Sequence, residues 1–119
     1  MTESVPAKEG IYERDRVLYV IGPKAIAKVS SALASDTRAK ILAILQKGPA
    51  DLEDLANLVN QSKANVSSQI RRLEEVDIVR SKYSPGQRGI KKIVELMVNK
   101  MVMVIVPDKL QDAQEKSLI

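Results

Sequence analysis

Cysteine and histidine are both absent from the 119 residues, and so are tryptophan and phenylalanine. Without them there are no disulfides, no thiolate or imidazole metal ligands, no cysteine nucleophile and no imidazole to shuttle protons near neutrality. Most familiar catalytic constellations are thereby excluded, and paired acids such as Glu74 and Glu75 come with no neighbouring chemistry that would make an enzyme. The three aromatic residues are all tyrosine, which argues against a single-strand nucleic-acid binder built on stacking platforms. Long hydrophobic runs are missing too: MVMVIV, Met101 to Val106, falls far short of the ~20 residues of a membrane helix. The N-terminal stretch MTESVPAKEGIYERDR is charged and lacks the apolar centre of a signal peptide. These features predict a soluble chain of the cytoplasm, with no cofactor and no membrane partner.

What is present is an uneven distribution of charge. The net charge of +4 is modest, but Ser81 to Lys100 holds Lys82, Arg88, Lys91, Lys92 and Lys100 against Glu95 alone. Asp51 to Gln61 holds Asp51, Glu53 and Asp54 and no base. Such asymmetry points toward a polyanionic partner.

The pattern of apolar residues divides the chain into short elements. RVLYVIG, Arg16 to Gly22, reads as a strand, and Pro23 then suits the first turn of an amphipathic helix carrying Ile26, Val29 and Leu33. Ser35 is placed to cap a second helix with Ile41, Leu42 and Leu45 on one face, closed by Gly48-Pro49. A third, shorter helix starts at Asp51 and buries Leu52, Leu55, Ala56 and Val59. After the break at Asn60-Gln61, Ser62 caps a fourth, whose apolar face is Val66, Ile70 and Leu73. The period then changes: IVRSKY reads as a strand, SPGQRG as a loop, IKKIVELMV as a returning strand and MVMVIV as another, ahead of a charged tail.

Three helices, the last two joined by a tight turn and followed by a hairpin with a basic tip, are the order of a winged helix-turn-helix. The fold class expected is α+β, mainly helical, with a three-helix core, a β-hairpin wing and extra N- and C-terminal strands. The expected division is an arm over 1–15, the domain with its flanking strands over 16–107, and a tail over 108–119. An α-helix fits the DNA major groove, and a hairpin beside it reaches phosphates or the minor groove. Along the fourth helix, 62–76, Ser62, Asn65, Ser67, Ser68 and Gln69 offer hydrogen-bonding groups, while Lys63, Arg71 and Arg72 supply charge. In the wing, 84–92, the candidates are Gln87, Arg88, Lys91 and Lys92. Lys91 and Lys92 are adjacent on a strand and point to opposite faces, so one of the two is expected to touch DNA.

LASDTRAKILAIL, LEDLANLVNQSKANVSSQIRRLEEVDIVRS and the wing loop together resemble the ArsR-like winged-helix transcriptional regulators. The resemblance covers roughly half the chain and rests on the Asp-Thr-Arg start and on the pattern of Ser62, Val66, Ser67, Ile70 and Leu73. It implies a homodimer that binds pseudo-palindromic double-stranded DNA, with Ser62 to Arg72 in the major groove and Gly86 to Lys92 as the wing. Metal-sensing members carry a Cys-x-Cys before the turn, and the matching positions here are Asp51 and Glu53. A role in sensing thiophilic metals is therefore excluded.

Plainer readings compete at several points. Arg71 and Arg72 precede Glu74 and Glu75 at helical spacing, so intrahelical pairs worth about 0.2–0.5 kcal/mol would account for them. The flanking strands either complete the chain's own sheet or lend an edge to a partner chain. At the level of function, the same surfaces suit a sequence-specific regulator, an architectural DNA binder with little base reading, or a protein-interaction module.

Overall fold

Strand structure begins earlier than the sequence pattern indicates. In the computed structural model, which describes residues 5–86 and 89–108, β1 (Gly10–Arg14) and β2 (Val17–Ile21) form an antiparallel hairpin with Arg14 opposite Val17. Part of the segment expected to be an arm is thus a strand. Its turn lacks the Asn-Gly or Asp-Gly signature of a two-residue hairpin loop; Asp15 and Arg16 take up the left-handed conformation instead, with φ of 53° and 65°. Arginine gains nothing there to offset the crowding of its Cβ. Arg16→Gly is expected to stabilise the chain by about 0.5–1 kcal/mol, net of glycine's greater unfolded-state entropy, and thermal unfolding should show a higher Tm.

The chain divides into two compact units, 1–31 with 98–119, and 32–97. In the first, β2 lies between β1 and β6 (Lys100–Val104), and the β2–β6 pairing is parallel, with Val17 opposite Lys100 and Ile21 opposite Val104. The two flanking strands therefore pair with each other within one chain. Central placement explains the composition of β2: Leu18, Tyr19, Val20 and Ile21 are all buried, so the strand is apolar on both faces. α1 (Pro23–Leu33) follows directly, and the side chains it buries are Ala25, Val29 and Ala32. Ile26 and Leu33, expected on that face, are half-buried.

The second unit holds the helical core. α2 (Asp36–Leu45), α3 (Leu52–Val59) and α4 (Lys63–Glu74) begin at the caps legible in the sequence. Ser35 Oγ accepts from Arg38 N at 3.3 Å, Asp51 Oδ1 from Asp54 N at 2.8 Å and Ser62 Oγ from Asn65 N at 3.1 Å. Each cap satisfies one of the orphan N–H groups of a first helical turn. α3 ends at Asn60, left-handed at φ 57°, a conformation in which Asn is among the better-tolerated side chains. That reversal makes the tight turn before α4. Val66, Ile70 and Leu73 are wholly buried where α4 packs on α2, α3 and β4.

The sheet of this unit runs β3-β5-β4, from β3 (Ala50–Asp51), β5 (Gly89–Leu96) and β4 (Val79–Gly86). β3 is too short to leave a periodic signal. The segment Ser84-Pro85-Gly86, expected in a loop, extends β4, and the hairpin closes with Gly86 opposite Gly89. Proline is tolerated there because β4 is an edge strand and needs no donor on its outer side.

Candidate nucleic-acid interface

Burial of Val66, Ile70 and Leu73 fixes the rotation of α4 and so decides which side chains face water. Ser62, Lys63, Asn65, Ser68, Arg71 and Arg72 are exposed, and Ser67 and Gln69 are half-buried at the edge of the packed face. Arg71 makes no ion pair among the described residues. The pairing that would have explained it internally is diverted, because Glu74 Oε1 accepts from Ser81 Oγ at 3.1 Å and lies 3.8 Å from Lys92 Nζ. Glu74 is tied to the hairpin instead of to its own helix.

The hairpin's cations are largely balanced within the unit. Glu95 lies 2.5 Å from Arg80 Nε and 3.2 Å from Lys82 Nζ, and their hydrogen bonds hold its carboxyl below the usual carboxylate range. Lys91 and Lys92 diverge as strand alternation requires, Lys91 Nζ reaching Asp51 Oδ2 at 3.8 Å and Lys92 reaching Glu74. Lys63 Nζ sits 3.8 Å from Glu53 Oε2. Asp51, from the acidic segment read at Asp51 to Gln61, is therefore folded against the basic one. Together Asp51, Leu52, Glu53, Lys63, Ile90, Lys91 and Lys92 line an open cleft of about 430 Å³. Among the described residues, no group of three or more Asp or Glu side chains is placed to hold a metal ion.

A polar chain links two of the residues singled out from sequence, Asn65 and Gln69, to Arg38, Gln61 and Thr37, which carried no site assignment. Arg38 lies at the same spacing as Ile41 and Leu45 on the buried stripe of α2, and it is 7% exposed. Its Nε donates to the Ala32 carbonyl at 2.5 Å and its Nη1 donates to Gln69 Oε1. Gln69 Nε2 donates to Asn65 Oδ1 at 3.2 Å, Asn65 Nδ2 to Gln61 Oε1, and Gln61 Nε2 to Thr37 Oγ1 at 2.9 Å. Burial, and after it the nearby Arg72 charge, lowers the pKa of Arg38, which still stays protonated because a guanidinium starts so far above neutrality. A charged residue on an apolar stripe was the available signal.

Of the residues singled out from sequence, the structure brings Ser62, Lys63, Asn65, Ser68, Arg71 and Arg72 to one exposed side of α4 and turns Gln69 partly inward. Lys91 and Lys92 lie on β5 two and three residues from Gly89 at the tip of the hairpin, opposite Ser84 and Tyr83. Gln87 and Arg88, the expected tip contacts, lie outside the described residues, as does nearly all of the tail.

Residues 35–81 match the model of the family described as bacterial regulatory protein, arsR family. An uncharacterized HTH-type transcriptional regulator of Methanocaldococcus jannaschii is 38% identical over 56 residues, covering 47% of this chain and 59% of that protein. A CadC homolog of Staphylococcus aureus, a cadmium resistance transcriptional regulatory protein, is 33% identical over 81 residues, covering 61% of this chain and 67% of the relative. Among solved structures, the homodimeric winged helix-turn-helix DNA-binding domain of a possible ArsR-family regulator from Mycobacterium bovis superposes with a TM-score of 0.53 at 22% identity, covering 60% of this chain and 63% of that one. The order α2, α3, tight turn, α4 and β4–β5 hairpin is that winged fold, and the chain belongs to the ArsR family of helix-turn-helix regulatory proteins.

Proposed function

We propose that the protein is a sequence-specific, double-stranded-DNA-binding transcriptional regulator that acts as a homodimer and has no enzymatic activity. The observation that carries this reading is the exposed side of α4, where Ser62, Asn65 and Ser68 lie beside Lys63, Arg71 and Arg72. α4 enters the major groove, and the hairpin with Gln87, Arg88 and Lys91 or Lys92 lies along the backbone or minor groove. Ser67 and Gln69 flank the reading face. The domain spans 16–107, with β1 of the preceding segment as an edge strand. Two subunits place their α4 helices about 34–36 Å apart, one turn of duplex. Function in the cytoplasm on the nucleoid follows from such a partner, and no helix among the described residues is long and apolar enough to cross a membrane.

Binding to selected and random duplexes across a salt series tests the reading. A regulator keeps a large affinity ratio between the two, whereas an architectural protein binds both alike and an interaction module binds neither in a salt-dependent way. Arg71→Ala is expected to weaken binding to every duplex and to reduce the salt slope by about 1 for each phosphate the side chain no longer neutralises. An unchanged slope would remove Arg71 from the interface. Light scattering that reports a monomer at micromolar concentration would remove the paired half-sites.

A further inference from the structure

The amides of α4 are not free to choose which end faces outward. A guanidinium has donors and no acceptor, so Gln69 must turn Oε1 toward Arg38. Nε2 of Gln69 is then left to donate to Asn65, whose own N–H donates to Gln61, whose N–H ends on Thr37. Every donor along the chain points the same way. Its origin is fixed, because Arg38 is buried and anchored through Nε to the Ala32 carbonyl.

We propose that Arg38 is a specificity-determining positioning residue, which through Gln69, Asn65 and Gln61 sets the donor and acceptor order that α4 presents to base edges. This inference rests on the assignment of α4 as the DNA-reading helix. Base pairs in the major groove are told apart by the order of donors and acceptors, and an Asn or Gln amide flipped end for end matches a different edge. An exposed amide in water samples both orientations. One whose far end is pinned by a buried cation presents a single pattern, and it retains a second N–H and a second lone pair for the base. Arg38 itself touches no DNA in this arrangement.

The test selects fragments from a randomised duplex library with the full-length wild type, Arg38→Met, Arg38→Lys and Thr37→Val, then titrates each protein against its selected duplex and random duplex across salt. Arg38→Met keeps the length of the side chain without its donors. It is expected to lower the selected-to-random affinity ratio by roughly tenfold or more and to broaden base preference, because it removes about the discrimination that one bidentate pair supplies. The salt slope should not move, since the phosphates are met as before. Arg38→Lys, with one charged donor kept, should recover part of the ratio. Thr37→Val removes only the last acceptor and should broaden preference less, which keeps the inference exposed to failure should a thermal melt show Arg38→Met unfolded. A folded Arg38→Met with the wild-type motif and ratio would overturn the inference and leave DNA reading intact. So would equal loss of affinity for selected and random duplex, the mark of a merely structural arginine, or an unchanged motif in Thr37→Val when Arg38→Met does not fold. Failure of the wild type to enrich any motif would instead overturn the reading of α4 itself, and the inference with it.

Discussion

Ile70→Ala should lower the unfolding free energy by about 2–5 kcal/mol, the range for removing a buried isoleucine side chain into a cavity its neighbours only partly fill. Ile70 is wholly buried in the middle of α4, one helical turn from Val66 and less than one from Leu73, where the helix meets α2, α3 and β4. A domain of this size has about 5–15 kcal/mol in all, so the loss is a large fraction of the total. Equilibrium denaturation in urea would show it as a lower midpoint with an unchanged m-value. The next residue along the helix makes the contrast, since Arg71→Ala removes an exposed side chain that makes no ion pair among the described residues, and it belongs to the class of changes worth within about 0.5 kcal/mol. A loss below about 1 kcal/mol in Ile70→Ala would mean that α4 is not packed as described.

That contrast also explains how much the sequence disclosed. Caps and apolar stripes are local, and Ser35, Asp51 and Ser62 stand at the starts of α2, α3 and α4 where residue type alone places them. The helix-turn-helix was legible for the same reason. β1 was not, because its turn uses Asp15 and Arg16 at positive φ, a choice that no turn signature marks. Partnership between distant segments was illegible as well. The parallel pairing of Val17–Ile21 with Lys100–Val104 joins strands some eighty residues apart, and the carboxylates that meet Lys63, Lys91 and Lys92 come from α3, from its cap Asp51 and from the end of α4. Counting charge along the sequence made the segment from Ser81 to Lys100 look uncompensated. In three dimensions Asp51 and Glu74 join Glu95 in pairing with its Lys82, Lys91 and Lys92, whereas Arg71, on the helix, makes no ion pair among the described residues.

Those returning carboxylates lead to an opposite expectation from that for Arg38. Lys63 and Lys92 each have a carboxylate 3.8 Å away, so a phosphate approaching either lysine must displace an internal anion and then sit beside it. The opposing energy is about 1 kcal/mol per pair at 4 Å in a water-like dielectric. The double substitution Glu53→Gln, Glu74→Gln removes both anions, and the amide oxygen introduced at position 74 would still accept from Ser81; Asp51 is spared because it caps α3. With two pairs in each subunit of a dimer, low-salt affinity should rise by about two to three orders of magnitude. The salt slope should steepen by about 0.9 for each lysine released to a phosphate. Thermal stability should change little through position 53, where the pair is exposed and worth at most about 1 kcal/mol, and should fall more through position 74, where the Lys92 and Glu74 side chains are 19% and 34% exposed. Selected and random duplexes should gain alike, leaving their ratio where it was, because phosphates carry no sequence information. Arg38→Met should do the reverse, lowering the ratio at constant slope. If the double variant binds with the wild-type slope, Lys63 and Lys92 are not at the DNA, and the surface that touches it is centred on Arg71 and the end of the hairpin.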